Sequence, residues 1–532
     1  MKKSGFSEAA RTGNVARLHD ETAAAHADDV ALEMHGREMT HGELSDRSAR
    51  FAGGLRELGV GEDDRVLIYL PNCPEYVVAS LGILKAGAVG SPMNPQYKAR
   101  EIDHQLADTD AAAVVTHAAL RPALVEAIRE GDHEPAVITV GSAEGGDGAD
   151  EADSSSTLPG PDVDFAAVDG EPTFVERDAD DIALQPYTSG TTGDPKGVLL
   201  SHENLRAHAY SGFELVDLDP AEDRSLAMLP LYHITGFVHS TWQTLIRGGT
   251  VYVRDPGQWD AEDAMATIEA ESISGFIGVA TMYVDMVNHE AFGEYDLSTL
   301  SEAGQGGTKM PVAVQEEFEA VAGVDTWEGY GLTETAAATH TGAATTYGHK
   351  LGTIGQPLRM TDCKIVDEEG EEVPPGEEGE LLVRGPQVMQ GYHDLPKANE
   401  QAFTDDGYFR TGDVARRDSG NYYEIVDRKK HMINTAGYNV YPSEVEELLH
   451  EHPAVADVAV VGVPDERRGE TVKAVVVPAA DADPSADELR QFCLDSLAEY
   501  KHPRQVEFVA ELPRTASGKV QKFKLTPDDS GA

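Results

Sequence analysis

The chain has few cysteines, no long apolar segment and no recognisable targeting segment. Among its 532 residues are three cysteines, Cys73, Cys363 and Cys493, which lie too far apart for metal-ligand spacing. We expect them to be buried, unpaired thiols of a reducing compartment. No apolar run reaches the roughly 18 residues of a membrane-spanning helix, and the N-terminal "MKKSGFSEAARTGN" lacks the apolar core of a secretory signal. We therefore expect a cytoplasmic protein with no integral membrane segment.

Basic residues are scarce beside acidic ones. Lysine and arginine total 42 against 94 aspartates and glutamates, a formal net charge of -52. A field of this sign repels nucleic acid and anionic membranes, which excludes both as main partners. It also strains the compact state by self-repulsion unless salt screens it. We hypothesise a halophilic protein that works in molar salt.

Alternating helical and strand patterns predict an α/β fold with largely parallel sheets. "THGELSDRSARFAGGLRELG" predicts a helix whose first turn has the capping-box pair Thr40 and Glu43. A buried strand follows at 65–70, then a helix at 74–85 and a strand at 88–93. Strand–helix–strand succession recurs at 113–140 and 249–278. The Gly-, Ser- and Asp-rich segment 141–164 predicts a mobile surface insertion.

The C-terminal hundred residues predict a separate small α+β domain. Two helices are expected to begin at Ser443 and Ser485, with Glu446 and Glu488 completing their capping boxes. Strands are expected at 455–463, 471–478 and 505–509. We therefore predict a large N-terminal α/β domain at 1–427, a hinge at 428–430 that includes Lys430, and a small mobile domain at 431–532.

The loop "YTSGTTGDPKGVLLSHENL" (187–205) has the composition of an anion-binding turn. Its hydroxyls, glycines and exposed N–H groups suit a phosphate, and Lys196 adds a positive charge. A Walker loop requires a hydroxyl residue directly after its lysine, whereas Gly197 stands here, so a Walker ATPase is disfavoured. Taken alone, a G-T-T-G segment is more often a plain Gly/Thr surface turn.

In its context the loop closely resembles the signature of the adenylate-forming superfamily, which contains acyl-CoA synthetases, peptide-synthetase adenylation domains and beetle luciferases. Further motifs of that superfamily follow in order, and the resemblance covers nearly the whole chain. They are "LPLYHITGF" (229–237), "EGYGLTET" (328–335), "GELLVRGPQVMQGY" (379–392), "YFRTGD" (408–413), "DRKKHMINTAGYNVYPSEVE" (427–446) and "LPRTASGKVQKFKL" (512–525). The resemblance implies an enzyme that activates a carboxylate with ATP, releases pyrophosphate and passes the acyl group from AMP to an acceptor.

The resemblance also implies a nucleotide site. It assigns the β- and γ-phosphates to the loop from Thr188 to Lys196, magnesium to Thr188 and Glu334, and the ribose hydroxyls to Asp413. Oxygen ligands are those that magnesium prefers. Tyr330 is expected to stack on adenine, although Lys309 stands where the superfamily has small apolar residues. The implied ATP-binding residues are Thr188, Ser189, Gly190, Thr191, Thr192, Gly193, Lys196, Gly306, Gly307, Glu328, Gly329, Tyr330, Gly331, Thr333, Asp413, Arg428 and Lys519.

Lys519, in "RTASGKVQ", is the expected catalytic residue, together with His233 and Glu334. A lysine between the attacking carboxylate and the α-phosphate offsets their repulsion and stabilises the transition state. A general base is unnecessary because the acid is already ionised at neutral pH. The resemblance implies that the small domain then swings, so that Gly437 and Tyr438 line the channel for coenzyme A.

The acyl pocket is expected to include His233, Phe237 and Gly331. Between Leu229 and Arg247 there is no acidic residue to pair with a substrate ammonium, which disfavours an amino acid. Acetate-activating relatives have Trp at the position of Gly331, so a longer acyl group is expected. The overall sequence most resembles those of fatty-acyl-CoA ligases, and an aryl-CoA ligase is the nearest alternative.

The predicted enzyme is thus an AMP-forming acid–thiol ligase for a medium- or long-chain fatty acid, with ATP, magnesium and free coenzyme A. Its partners are expected to be small molecules. The sequence leaves the oligomeric state open, a homodimer being one option. Two alternatives come from other classes. One is a non-catalytic nucleotide-binding protein of the same fold, against which the intact Lys519, Glu334 and Asp413 argue. The other is an ATP-hydrolysing phosphotransferase, which the missing Walker spacing disfavours.

Overall fold

A computed structural model describes residues 6–131, 133–141, 158–188, 195–215, 218–343, 349–435, 438–465, 467–480, 482–514 and 520–526. Its α-helices are α1 Glu8–Thr12, α2 Arg17–Ala25, α3 His41–Glu57, α4 Pro74–Lys85, α5 Ala99–Thr109, α6 Arg121–Glu130, α7 His202–Leu215, α8 Gln243–Arg247, α9 Ala261–Glu271, α10 Ala280–Asn288, α11 Val312–Ala322, α12 Pro396–Ala402, α13 Pro442–His450 and α14 Ala486–Ser496. A π-helix covers Thr235–Trp242. No described helix is both long enough and apolar enough to span a bilayer.

The described strands are numbered in chain order. They are β1 Val30–Met34, β2 Arg37–Thr40, β3 Arg65–Tyr69, β4 Val89–Pro92, β5 Ala113–His117, β6 Ala136–Val140, β7 Asp162–Asp164, β8 Ile182–Leu184, β9 Tyr187–Thr188, β10 Lys196–Ser201, β11 Arg224–Ala227, β12 Thr250–Val253, β13 Gly275–Gly278, β14 Glu302–Gly306, β15 Thr326–Tyr330, β16 His340–Thr341, β17 Gln356–Pro357, β18 Asp362–Val366, β19 Glu378–Arg384, β20 Gly391–Tyr392, β21 Phe409–Arg417, β22 Tyr423–Arg428, β23 Ile433–Thr435, β24 Tyr438–Val440, β25 Val455–Asp465, β26 Gly469–Pro478 and β27 Gln505–Phe508.

Two large sheets with parallel centres form the body of the N-terminal domain. The first has the order β17-β16-β15-β14-β13-β11-β12-β1-β2, and its strands from β15 to β1 pair in parallel. In the second, β7-β6-β5-β3-β4-β8 are parallel, and β10 runs antiparallel to β8, β9 and β20. This confirms the α/β class predicted from alternating helices and strands.

Helices α3 and α4 show how local sequence sets the packing of this body. Thr40 accepts a hydrogen bond from the Glu43 N–H and Glu43 reaches back to Thr40, so the predicted capping box begins α3. Leu44, Phe51 and Leu55 are buried on one stripe of that helix. A Cβ on Gly82 of α4 would lie 2.9 Å from the Ser48 carbonyl oxygen and close to Phe51, so a glycine permits this close approach of two helices.

The antiparallel sheet β18-β19-β21-β22 leads from the large domain into the small one, whose sheet is β24-β23-β26-β25 with β27 parallel to β26. Helix α14 begins with the predicted capping box of Ser485 and Glu488. The three cysteines are free, Cys493 fully buried and the other two partly buried.

The predicted capping box of Ser443 and Glu446 is wrong. Helix α13 begins at Pro442 with Tyr441 as its N-cap and without a side-chain cap. Ser443 instead donates its N–H and its hydroxyl to Asp427 Oδ2, both at a distance of 2.9 Å. Glu446 accepts a hydrogen bond from the Val460 N–H at 2.6 Å. Because the Asp427 carboxylate is buried, it requires hydrogen-bond donors. This tertiary contact takes the Ser443 hydroxyl away from the local capping-box pattern.

The predicted surface insertion at 141–164 is only partly described, since 142–157 lie outside the described residues. Its last residues are not an insertion. Asp162–Asp164 form β7, which pairs in parallel with β6 at the edge of the second sheet. Periodicity does not reveal so short an edge strand.

Candidate active site

A cleft of about 2160 Å³ lies at the carboxyl ends of the parallel strands β11, β13, β14 and β15. The residues that follow those strands, at 229–230, 279–281, 307–309 and 331–334, line it. Crevices at the carboxyl ends of parallel strands are the usual ligand sites of open α/β sheets. The small domain contributes further lining residues, among them Ser443, Glu447 and Val520. The site is therefore shared between the two domains.

Asp413 lines the cleft and is hydrogen-bonded to Tyr330 and Arg428. It lies in β21 and is 2% exposed. Its Oδ2 accepts the Tyr330 hydroxyl at 2.5 Å and its Oδ1 accepts Arg428 Nε at 2.8 Å. The register of β21 and β22 sets Arg428 opposite Asp413. Burial and the nearby carboxylate raise the pKa of Tyr330, so the phenol remains a donor.

Glu334 occupies a second carboxylate position, on the 3₁₀ turn Thr333–Thr335. Its Oε1 accepts the Tyr392 hydroxyl at 2.9 Å, and Lys196 Nζ lies 4.7 Å from the centre of the Tyr392 ring. Strand β10, which carries Lys196, pairs with β9, which carries Thr188, and with β20, which carries Tyr392. Strand pairing thus brings together phosphate-loop, tyrosine and carboxylate residues from three separate motifs.

Glu334 offers an oxygen ligand of the kind that a magnesium ion prefers. It lines the cleft, and among the described residues none hydrogen-bonds its Oε2. Thr188 lines the same cleft and offers a hydroxyl. A carboxylate oxygen and a hydroxyl beside phosphate oxygens match the preference of Mg²⁺ for oxygen ligands.

The predicted adenine wall is formed by β14 and β15. Gly306 and Gly329 are paired in register, and a Cβ on Gly306 would lie 3.4 Å from the Gly329 carbonyl oxygen. Gly307, Glu328 and Thr333 also line the cleft. The two backbones are therefore accessible to a flat ligand at this edge.

Gly331 has a steric requirement that the sequence does not reveal. A Cβ there would lie 1.9 Å from the Ala337 carbonyl oxygen and 2.6 Å from the Ala338 Cα. Any side chain would force this main chain to move. Gly331 lines the cleft, but its space is filled by backbone rather than held open for a substrate.

Lys309, noted above as a departure from the superfamily pattern, connects the two domains. Its Nζ lies 3.3 Å from a Glu424 oxygen in β22 and 3.0 Å from a Glu447 oxygen in α13. Nearby, Glu328 is 4% exposed. Burial raises the pKa of Glu328 to about 8, and the charge of Lys309 opposes that shift.

The acyl end of the cleft lies beside the π-helix. His233 lines the cleft, with its ring centre 4.6 Å from that of Tyr232. Phe237 instead packs in the core, 5.9 Å from the Tyr76 ring and 6.4 Å from the Trp242 ring. It is not among the described lining residues, so the structure does not place it on the predicted pocket wall.

Several predicted site residues lie outside the described part of the chain. They are Ser189, Gly190, Thr191, Thr192, Gly193, Gly437, Lys519 and the side chain of Lys430. The described residues beside Lys519, Arg514 and Val520, pair across a β-bridge and line the cleft. Tyr438 is 57% exposed and stacks on Tyr500 at 4.7 Å, away from the described cleft lining. Its place in a coenzyme A channel stays a prediction.

Sequence reasoning missed three lining or supporting residues: Tyr392, His208 and His239. Tyr392 ends a quoted motif, and a buried tyrosine hydroxyl there could have been assigned a partner. His239 interrupts an apolar stretch, "TGFVHSTW". Its pairing with His208 has no signal in the sequence, because the two lie 31 residues apart.

Two family models match the chain. That of the AMP-binding enzyme matches residues 19–393, and that of the AMP-binding enzyme C-terminal domain matches residues 444–519. A feruloyl-CoA synthase of Amycolatopsis sp is 38% identical over 500 residues, which are 93% of this chain and 95% of that protein. A long-chain-fatty-acid–CoA ligase of Bacillus subtilis (strain 168) is 34% identical over 541 residues, 96% of this chain and 93% of that protein.

Solved structures also match nearly end to end. The anthranilate CoA ligase AuaEII, in complex with anthranoyl-AMP, superposes with a TM-score of 0.87 at 27% sequence identity. The match covers 99% of this chain and 98% of that one.

Proposed function

Because the chain belongs to the AMP-binding enzymes of the adenylate-forming superfamily and is an acid–thiol ligase for acyl or aryl acids, we propose how its residues divide the reaction. The acid carboxylate attacks the α-phosphorus of ATP, the bond to the β-phosphate oxygen breaks, and pyrophosphate leaves. The sulfur of coenzyme A then attacks the acyl carbon, its proton is lost, and AMP leaves with the carboxylate-derived bridging oxygen. The enzyme is neither oxidised nor reduced.

Asp413 binds the ribose hydroxyls in this proposal. A carboxylate only accepts hydrogen bonds when ionised, which suits the two hydroxyls of a diol. Tyr330 and Arg428 orient the Asp413 carboxylate through its Oδ2 and Oδ1. The single observation that carries the proposal is that Asp413, Glu334 and the residues flanking Lys519 all line one cleft.

Lys196 and Thr188 hold the outer phosphates, while Glu334 and Thr188 would hold magnesium. Bound magnesium would neutralise phosphate charge as a Lewis acid. Tyr392 orients Glu334 through the hydrogen bond to Oε1. Lys519, on the small domain, offsets the charge that develops as the carboxylate approaches the α-phosphate.

For the acid we keep two candidates. A medium- or long-chain fatty acid is supported by the resemblance of the sequence to fatty-acyl-CoA ligases and by the name of the Bacillus subtilis relative. An aromatic acid is supported by the name of the feruloyl-CoA synthase relative. Both exceed acetate in size.

Carboxylate-dependent exchange of labelled pyrophosphate into ATP tests the proposal. Purified protein in high salt is given Mg-ATP with acids from C2 to C18 and with aryl acids, and AMP and thioester are then measured after coenzyme A is added. Glu334→Gln should lose exchange, whereas Glu369→Gln, an exposed residue, should retain it. The proposal is contradicted if the protein forms ADP, or if none of the acids yields AMP.

A further inference from the structure

A pair of histidines from two different helices forms part of the acyl wall. His208 lies on α7 and His239 on the π-helix, and both line the cleft. His208 Nε2 and His239 Nδ1 are 3.2 Å apart. The His208 carbonyl oxygen accepts bonds from Ser211 Oγ at 2.6 Å and Gln243 Nε2 at 3.1 Å. Neighbouring side chains therefore hold the main chain at His208, and its ring is bonded to that of His239.

The wide turn of the π-helix sets the position of His239. Gly236 packs so closely that a Cβ would lie 2.2 Å from the Pro230 carbonyl oxygen. Thr241 Oγ1 donates to the Gly236 carbonyl oxygen five residues earlier, at 2.9 Å. Such π-helical segments are rare and occur often at functional sites.

Both imidazoles are neutral at physiological pH. Burial lowers the pKa of His239 to about 4 and lowers that of His208 well below its usual value. The one shared hydrogen bond uses a single nitrogen of each ring. Among the described residues, His239 Nε2 has no hydrogen-bond partner, and His208 Nδ1 is buried without one. Depending on the tautomer, His239 Nε2 offers the cleft a donor or an acceptor.

The surroundings of His239 are apolar and aromatic. The Trp327 ring meets the His239 ring edge-on at 6.0 Å. Trp327, Ile234 and Ile277 line the cleft with it. A saturated acyl chain that reached this point would displace water from Nε2 and leave that nitrogen unpaired. A neutral hydroxyl would instead pair with it, whereas an ionised group would find no counter-charge in the imidazoles.

We infer that His239, positioned by His208, determines specificity for an acid that carries a neutral hydroxyl at the end remote from its carboxylate. This inference rests on the proposed ligase function and narrows its substrate class. The hydroxyl can be phenolic or can end an aliphatic chain. A site built to bond a hydroxyl rejects the analogue that lacks it far more strongly than an apolar pocket does.

The test compares matched acids in the complete two-step assay. The wild-type protein is given 4-hydroxycinnamate against cinnamate, and 10-hydroxydecanoate against decanoate. We expect kcat/KM to favour the hydroxylated member of one pair by about tenfold or more. The pair that shows this preference identifies an aromatic or an aliphatic source. If the wild-type protein shows no preference in either pair, the inference is overturned. This outcome does not depend on whether any variant folds.

Substitutions assign the preference to the histidine. His239→Leu should remove the preference, by lowering kcat/KM for the hydroxylated acid much more than for its unsubstituted partner. His239→Gln, which can still donate and accept, should restore part of it. His26→Leu, a matched exchange outside the described cleft lining, should keep it. Equal losses on both members of a pair would contradict the inference, because they would indicate a structural role.

The inference and the proposed ligase function fail in different ways. If no acid yields AMP, the ligase function is refuted. If unsubstituted acids are activated as well as hydroxylated ones, the ligase function stands and only the role of His239 falls.

Discussion

Buried polar groups are paired differently in two parts of the cleft. At the end predicted to bind the nucleotide, Asp413 forms an ion pair with Arg428 and accepts the Tyr330 hydroxyl. At the acyl end, His208 and His239 are neutral and bond chiefly to each other. Asp413 and His208 are both buried, but a guanidinium faces Asp413 whereas a second imidazole faces His208.

This difference suits two kinds of ligand. In the proposed function, the charged end binds the ribose diol, the phosphates and their metal, while the neutral end binds an uncharged acyl tail. A single cleft can thereby orient a molecule whose ends differ in polarity. Each prediction below alters one end or the scaffold that both ends share.

The largest expected effect concerns the scaffold. Acidic residues outnumber basic ones, 94 against 42, so like charges repel one another across the protein unless salt screens them. Lowering KCl from about 1 M to about 10 mM extends the Debye length from about 3 Å to about 30 Å. We expect the melting temperature, followed by circular dichroism, to fall until structure is lost at both ends together. A melting temperature unchanged between low and molar KCl would reject halophilic adaptation.

The next effect separates the two half-reactions. Lys519→Ala should slow adenylation on the order of 10²–10³-fold, because the transition state loses its cation. Thioester formation from supplied acyl-AMP should be spared. Exchange of labelled pyrophosphate measures the first half, and thioester release measures the second. Lys397→Ala, an exposed change on α12, serves as control, and equal loss of both halves would refute the division.

A smaller effect should be confined to the charged end. Asp413→Asn removes the charge that faces Arg428, and hydrogen bonds to charged groups contribute about 1.5–3 kcal/mol. We expect the KM for ATP to rise about 10-fold to 100-fold while the preference among acids is unchanged. Asp418→Asn, which alters the surface partner of Lys350, should leave KM for ATP as it was. A parallel change in acid preference would show that the two ends are coupled.

Much of the fold could be predicted because its signals are local. The capping boxes at Thr40 and Ser485 need only neighbouring residues, and both were confirmed. The box at Ser443 failed because Asp427, distant in sequence, competes for the same hydroxyl. The strand at 162–164 depends on an edge offered by β6, which no local pattern encodes.

The site divides in the same way. Asp413, Glu334 and Tyr330 could be predicted as site residues because each belongs to a short sequence motif. All three line the cleft. The His208–His239 pair depends on a π-helical turn and on contact between distant helices. Phe237 lies on the same π-helix but packs against the Tyr76 and Trp242 rings in the core, a contact that its motif does not specify.

The smallest expected effect concerns Glu328, a buried acid that is protonated at the charged end. Burial raises its pKa to about 8, against about 4.3 in an unfolded chain. Since the unfolded state releases this proton first, Glu328 lowers the free energy of unfolding increasingly as pH rises from about 4.3 to about 8. Glu328→Gln should therefore raise the melting temperature by a few degrees at pH 8 and by little at pH 5. Glu369→Gln, on the surface, should show no such slope, and an equal shift at both pH values would mean that Glu328 is already ionised in the folded protein.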